Sequence, residues 1–241
     1  MRMTIAISPS DRLFVLTGAG ISAESGIPTF RGAGGLWEGN RAEDLATPEA
    51  FARDPELVWR FYSMRRAVAA GRQPNPGHIA LARLEEKLGE RMLICTQNVD
   101  SLHEEAGATR VVHMHGELFK SRCSSPECPT EPFTDMKTYE QRSEIPTCSR
   151  CGELLRPNVC WFGEAPFSME EVLSALQQCT VFLTVGTSGM VEPAASFALF
   201  ARHNGARAYY VGLENPANVT AFQQVFLGPA GERLPELLES K

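Results

Sequence analysis

A glycine turn with an unusual continuation occupies residues 18–32. Gly18-Ala19-Gly20-Ile21-Ser22-Ala23-Glu24-Ser25-Gly26-Ile27-Pro28-Thr29-Phe30-Arg31-Gly32 directly follows the strand-like apolar run Leu13 to Leu16. Glycines at 18 and 20 let the backbone bend tightly and approach a pyrophosphate. Ala23, at the third position of a G-x-G-x-x-G/A fingerprint, permits close packing of a helix on the strand. Alone, that fragment is equally well a simple strand-to-helix turn. In an ordinary dinucleotide fold a long helix follows, then a strand whose acidic end holds the adenine ribose about 20 residues on. Here Gly26 and Pro28 end any helix after barely one turn, and Gly32, Gly34 and Gly35 continue as a loop carrying Phe30, Arg31 and Trp37. An aromatic and a cation on a glycine-hinged flap suit chemistry at the nicotinamide end of a dinucleotide, where water is excluded and phosphates are neutralised. Plain hydride transfer loses ground.

Short apolar runs predict strands at Leu13 to Thr17, Met92 to Thr96, Val111 to His115, Val181 to Val185 and Ala208 to Gly212. Apolar residues at three-to-four spacing predict helices over His78 to Leu88, Asp100 to Glu105, Met169 to Gln178 and Pro193 to His203. Strand alternating with helix implies an α/β fold: a Rossmann-like parallel sheet with helices on both faces and its ligand crevice at the strand carboxyl ends. Residues 34–71 and 119–157 break the alternation. They are assigned to a smaller domain, a helical insert plus a cysteine-rich module, leaving 1–33, 72–118 and 158–241 as the Rossmann-like dinucleotide-binding domain.

The 241 residues are enough for a large domain with a small insert, and 43% hydrophobic with 22% charged content excludes disorder. A net charge of −6 without a long Lys/Arg run argues against nucleic acid. No stretch reaches the roughly 20 apolar residues of a membrane span. Pro9 and Asp11 cut short any signal-peptide core, so a cytoplasmic protein is expected.

Seven cysteines, an odd number, point away from a disulfide framework. Cys123-x4-Cys128 and Cys148-x2-Cys151, the latter followed by Gly152, have the spacing of a tetrahedral thiolate zinc site, closed and therefore structural. Cys95, Cys160 and Cys179 sit in apolar surroundings and are read as core. His115, before Gly116 at a predicted strand end, suits a general base, although a hydrogen-bonded core histidine is the commoner outcome of such a pattern. His113 shares its face parity, and the pattern does not separate the two. Gln97, Asn98, Val99 and Asp100 place two amides and a carboxylate at another strand end, fit to hold a carboxamide or water, or merely to cap a helix. Gly186-Thr187-Ser188 reads as a ribose or phosphate turn or as a plain turn. On the helix with the stripe Leu57, Phe61, Met64 and Val68, Tyr62 and Arg65 project together from the flank, and Arg66 is expected on the solvated face. Tyr62 with Arg65 forms either an anion clamp or a partly exposed tyrosine beside a snorkelling arginine.

Together these residues resemble the sirtuins, NAD-dependent protein deacylases, over nearly the whole chain, with Val159-Cys160-Trp161-Phe162-Gly163-Glu164 as a further matching motif. The resemblance implies NAD and one structural zinc ion held by Cys123, Cys128, Cys148 and Cys151. It implies acylated protein substrates, with a monomer expected, and removal of acyl groups from lysine to give nicotinamide, free lysine and O-acyl-ADP-ribose. His115 would be the base, with Asn98 and Asp100 serving the nicotinamide side. The dinucleotide would lie against Gly18, Ala19, Gly20, Ser22, Ala23, Pro28, Thr29, Phe30, Arg31, Trp37, Gln97, Asn98, Val99 and Asp100, then Gly186, Thr187, Ser188, Gly212, Leu213, Glu214 and Ala230. Peptide would pair with backbone at Val159, Trp161, Phe162 and Gly163. Tyr62-Ser63-Met64-Arg65 is similar to the marker of the class that accepts acidic acyl groups, so Tyr62 and Arg65 would receive a distal carboxylate, and succinyl and malonyl join acetyl as candidates. One departure stands out: where many relatives carry Asn-Leu-Glu, this chain has Gly212-Leu213-Glu214, which implies that a side-chain contact to the adenosine ribose is missing or that a backbone or water contact from Gly212 replaces it.

Overall fold

The computed structural model describes residues 4–29, 36–37 and 40–238. The expectations for Phe30 and Arg31 lie outside these residues, and Trp37 is described only in its backbone. In chain order the elements are β1 (Leu13–Thr17), α1 (Ala19–Ser22), β2 (Leu36–Trp37), β3 (Asn40–Arg41), α2 (Ala42–Leu45), α3 (Pro48–Arg53), α4 (Pro55–Ala69), α5 (Pro76–Leu88), β4 (Met92–Thr96), α6 (Leu102–Glu105) and β5 (Val111–His113). They continue with β6 (Gly116–Cys123), β7 (Phe133–Thr134), β8 (Leu155–Val159), α7 (Met169–Gln178), β9 (Val181–Val185), α8 (Phe197–His203), β10 (Arg207–Gly212), β11 (Gln224–Leu227) and α9 (Ala230–Leu238). The chain divides into two compact units, one of residues Met1–Thr29, Arg72–Met114 and Ser168–Lys241, the other of Phe30–Gly71 and His115–Phe167.

The first unit is built on a six-stranded sheet in the order β11-β10-β9-β1-β4-β5, every pairing parallel. Its period-two side-chain alternation supplies two cores. Leu13 and Val15 pack with Leu81, Leu84 and Leu88 of α5 and Leu234 and Leu237 of α9. Phe14 and Leu16 pack on the opposite face with Val172 and Leu176 of α7 and Phe197 and Ala201 of α8. Both faces are covered, which is why β1, β4 and β9 are buried end to end and read as unbroken apolar runs. No described helix is long and apolar enough to cross a membrane.

The second unit carries the antiparallel sheet β7-β6-β8 and the helices α2 to α4. Helix α4 starts where Asp54 Oδ1 accepts the Leu57 N–H at 3.0 Å and Pro55 occupies the first helical position.

Two local expectations are corrected. The predicted strand Val111 to His115 stops at His113, and Met114 and His115 form a turn into β6. Gly116, at φ +85°, lies so close to the Asn158 carbonyl that a Cβ would stand 2.1 Å from its oxygen, so the chain turns here into a second sheet. Arg66 does not face solvent: it is 1% exposed. Its guanidinium donates to the carbonyls of Leu118 at 2.8 Å and Lys120 at 3.3 Å, to the Lys137 carbonyl and to Ser121 Oγ, and pairs with Asp135 at 3.3 Å.

Candidate active site

The glycine turn is seated on the strand-end loop that follows β9. Gly18 N–H donates to the Val185 carbonyl at 2.9 Å, and Gly20 N–H to the Gly186 carbonyl at 2.8 Å. A Cβ on Gly20 would lie 2.7 Å from Gly186 Cα, and one on Gly18 would lie 2.9 Å from the Gly186 oxygen and from Thr187 Cβ. The two segments therefore pack backbone to backbone, which only glycine permits. As expected, the helix after the turn is brief: α1 gives way to a 3-10 turn over Ala23–Ser25, and Gly26 at φ +83° ends it. Pro28 and Thr29 follow, exposed.

Ser22 is the hub of a buried polar cluster at the carboxyl ends of β1 and β4. Its hydroxyl donates to Asp100 Oδ2 at 3.0 Å and accepts from Asn98 Nδ2 at 3.1 Å, while Asn98 Nδ2 also reaches the Gly18 carbonyl at 3.2 Å. Asp100 Oδ1 accepts the Leu102 N–H at 3.2 Å at the start of α6, a bond of the kind the capping reading expects. Burial drives the Asp100 carboxyl above its ordinary value, partly opposed by the bonds from Leu102 and Ser22. Gln97 and Val99 lie half-buried beside them, the Gln97 N–H bonded to the Thr17 carbonyl at 2.9 Å.

Two histidines behind this cluster escaped the sequence reading as site residues. His78 Nδ1 accepts the Asn75 N–H at 3.4 Å, and Nε2 meets Ser22 Oγ at 3.5 Å. With the Ser22 proton committed to Asp100, His78 is the neutral tautomer with its proton on Nε2. Burial depresses its pKa to about 4. His103 is likewise kept neutral, by burial first and then by His78 and His113, its Nε2 lying 2.9 Å from Thr17 Oγ1. The signal for His78 was present as Asn75-Pro76-Gly77-His78, a capping arrangement at the start of α5.

His113 and His115 are separated by their surroundings. His113 meets the Asn98 carbonyl at 3.1 Å through Nδ1 and Glu104 at 2.7 Å through Nε2. His115 stands in the turn before Gly116, its carbonyl accepting the Cys160 N–H at 2.9 Å. In the first unit Thr187 accepts the Gly189 N–H through its hydroxyl at 3.3 Å, Leu213 and Glu214 are exposed, Gly212 is buried, and Ala230 is buried at the start of α9.

In the second unit Tyr62 is fully buried and its hydroxyl oxygen accepts from Trp161 Nε1 at 2.9 Å. The Arg65 guanidinium lies 5.6 Å from the Tyr62 ring centroid, so the pair are neighbours. A partly exposed tyrosine is thereby excluded. Burial raises the Tyr62 phenol above its ordinary pKa, with Arg65 opposing, and the group stays protonated. Trp161 is held in turn by Glu164, whose carboxylate accepts the Trp161 N–H at 2.7 Å and a two-point bond from Arg156 at 2.6 and 2.9 Å. The N–H groups of Cys160, Trp161, Phe162 and Glu164 are all engaged within this unit. Among the described residues the Gly163 N–H, at φ +89° beside the exposed Phe162, has no such partner. Val159 pairs with Gly116. Cys160 is half-buried rather than core, its thiol 3.5 Å from the Ala165 carbonyl; Cys95 and Cys179 are buried as expected.

The four remaining cysteines converge. The sulfurs of Cys123, Cys128, Cys148 and Cys151 all lie within 4.8 Å of one another, with Cys123 to Cys151 at 3.4 Å and Cys128 to Cys148 at 3.7 Å. Tetrahedral zinc with bonds of about 2.3 Å separates its sulfurs by about 3.8 Å, so the cluster fits the ion. The Cys148 knuckle closes through the Gly152 N–H to the Cys148 carbonyl at 2.8 Å, with Gly152 at φ +81°.

Comparison with known proteins agrees with this geometry. The Sir2 family model matches residues 18–193. The NAD-dependent protein deacylase of Escherichia coli (strain K12) is 49% identical over 230 residues, covering 95% of this chain and 81% of its own. That of Vibrio parahaemolyticus is 45% identical over 233 residues, covering 96% and 95%. Among solved structures, a Sir2 homolog in complex with NAD is similar with a TM-score of 0.87 at 37% identity, covering 99% of this chain and 95% of that one. A Sir2 protein with a deacetylated p53 peptide and 3'-O-acetyl ADP ribose gives a TM-score of 0.80 at 28% identity, covering 94% and 92%. With a glycine turn, polar hub and four-cysteine cluster of this form, and matches spanning most of its length, this chain belongs to the Sir2 family.

Proposed function

We propose that this protein is an NAD-dependent protein-lysine deacylase that removes acetyl and acidic acyl groups such as succinyl or malonyl. The products in this reading are nicotinamide, free lysine and O-acyl-ADP-ribose, and the enzyme is a transferase by class. The observation that carries the proposal is the seating of Gly18 and Gly20 on Gly186 beside the Ser22–Asn98–Asp100 hub. That arrangement offers backbone to a pyrophosphate and amide and carboxyl groups to a nicotinamide carboxamide and its water. NAD supplies a ribosyl carbon with nicotinamide as leaving group.

The chain's own residues divide the remaining work. Gly18, Ala19, Gly20, Ser22 and Ala23 hold the phosphates with Gly186, Thr187 and Ser188, and Gly212 through Glu214 and Ala230 serve the adenosine end. Asn98 and Asp100 orient the nicotinamide side, where the up-shifted Asp100 keeps hydrogen-bonding capacity in both protonation states. His115 takes a proton at its imidazole from a ribose hydroxyl. Tyr62 accepts from Trp161 and so retains its own O–H to donate, which with Arg65 suits a distal carboxylate. Backbone pairing with peptide narrows to Gly163 and the neighbouring carbonyls, because the adjoining N–H groups are already spent. Cys123, Cys128, Cys148 and Cys151 hold a structural zinc ion.

Mass spectrometry of an acyl-lysine peptide incubated with NAD tests the proposal. Loss of the acyl group with one nicotinamide released per lysine, abolished by His115→Ala, is expected. ADP-ribose gained on protein, or no turnover with any acyl group, overturns it.

A further inference from the structure

Tyr210 and Gly212 lie two residues apart on β10, so their side-chain positions share one face. The Tyr210 hydroxyl donates to the Thr187 carbonyl at 3.0 Å. A Cβ on residue 212 would stand 2.4 Å from that same hydroxyl oxygen and 2.8 Å from the ring carbon bearing it. The tyrosine is 3% exposed and wedged against Phe222, with ring centroids 5.4 Å apart, so it cannot swing aside cheaply. Glycine at 212 is thus the complement of tyrosine at 210. Thr187, whose carbonyl is pinned, belongs to the loop on which the glycine turn rests: Gly20 bonds to the Gly186 carbonyl, and Thr187 Cβ fills the space beside Gly18.

We infer that Tyr210 is a positioning residue of the nucleotide site, fixing the 186–188 loop against the glycine turn and reserving position 212 for bare backbone. The inference rests on the reading of that loop as nucleotide-binding. Burial, with a smaller contribution from Glu214, raises the phenol to about 12, so the hydroxyl keeps its proton for Thr187 at all working pH values. In place of a side chain at 212, this chain holds the loop through one tyrosine–carbonyl bond.

The test is a double-mutant cycle read by calorimetric NAD binding without peptide, by steady-state kinetics and by the thermal midpoint of the ligand-free protein. Tyr210→Phe keeps the ring and removes only the bond. NAD Kd and the KM for NAD are expected to rise about tenfold, with kcat and the peptide KM changed less than about twofold. Gly212→Ala alone is expected to weaken NAD binding. In the Tyr210→Phe background the same alanine should cost at least threefold less in Kd, because the oxygen it meets is gone. An unchanged NAD Kd in Tyr210→Phe, a lowered thermal midpoint with Kd intact, or strictly additive effects each overturn the inference. A parent protein that binds no NAD refutes the nucleotide-site reading itself, an outcome distinct from the other three.

Discussion

Replacing Arg66 by methionine tests how the second unit is held together. The guanidinium serves three carbonyls, at Leu118, Lys120 and Lys137, as well as Ser121 and Asp135, with its Cζ 5.2 Å from the Trp59 ring centroid. Methionine fills much of the volume but leaves Asp135 charged and buried. Removing one partner of a buried pair costs about 3–5 kcal/mol. Asp135 keeps bonds from the Tyr139 hydroxyl at 3.1 Å, the Lys137 N–H at 3.2 Å and Ser121, which holds the expected loss near the lower end. Trp37, Trp59 and Trp161 all belong to the second unit, so tryptophan fluorescence during urea unfolding reports on it directly. The pH dependence gives a second check. Burial would raise the Asp135 carboxyl, but Ser121 and the Arg66 charge outweigh it and hold the group below its ordinary range. Its stabilisation is therefore present above the ordinary carboxylate range and lost as pH falls through the folded value. Without Arg66 the carboxyl loses part of what holds it down, so protonation costs the variant less than the parent, and the gap between parent and Arg66→Met should narrow on acidification. A loss below about 1 kcal/mol, or a gap that widens in acid, refutes the argument.

In the glycine turn, Gly20→Ala is expected to weaken NAD binding at least tenfold by calorimetry, since its Cβ would meet Gly186 backbone at 2.7 Å and backbone cannot give way cheaply. Chelation of zinc, or Cys151→Ser, should unfold the cysteine module and release about one zinc per chain by colorimetric assay while the parallel sheet keeps its far-ultraviolet dichroism. Tyr62→Phe with Arg65→Met should lower succinyl-lysine turnover about 100-fold or more and spare acetyl-lysine, because an unpaired carboxylate at a buried site costs several kcal/mol; equal losses on both peptides count against the clamp. For Asp11, burial would raise the carboxyl, but bonds from Thr180, Ser8 and Arg207 bring it down to about 2, so its stabilisation is full above about pH 4 and lost as pH falls toward 2. Asp11→Asn should flatten that acid limb in a thermal-shift titration.

What was legible in the sequence follows the physics of each element. The strands β1, β4 and β9 are covered on both faces, so burial writes itself as a continuous apolar run that needs no partner to be recognised. The glycine turn and the cysteine pairs are legible because only glycine admits the Gly20–Gly186 approach and only short thiol spacings close on one ion. By contrast β6, Gly-Glu-Leu-Phe-Lys-Ser-Arg-Cys, is paired antiparallel with its alternation broken by a register shift between Gly116 and Ser121, and it is polar enough to read as loop. Val111 to His115 misled for the opposite reason: Met114 carries the apolar run past the end of the strand, and the turn is marked only by Gly116 at φ +85°.

Arg66 marks the deeper limit. Helical periodicity assigns a charge to the solvated face by default, because burying it unpaired is prohibitive. The default fails where a distant segment brings the compensating groups, as Asp135 does for Arg66. Such pairs have no local signature, since each member alone is ordinary. The same holds for Gly212, whose lack of a side chain reads as a loss in one dimension. In three dimensions it is the space required by the Tyr210 hydroxyl, two residues earlier on the strand, as it reaches the Thr187 carbonyl. A missing contact inferred from one position can thus be the visible half of a two-residue exchange, and only the packing identifies the other half.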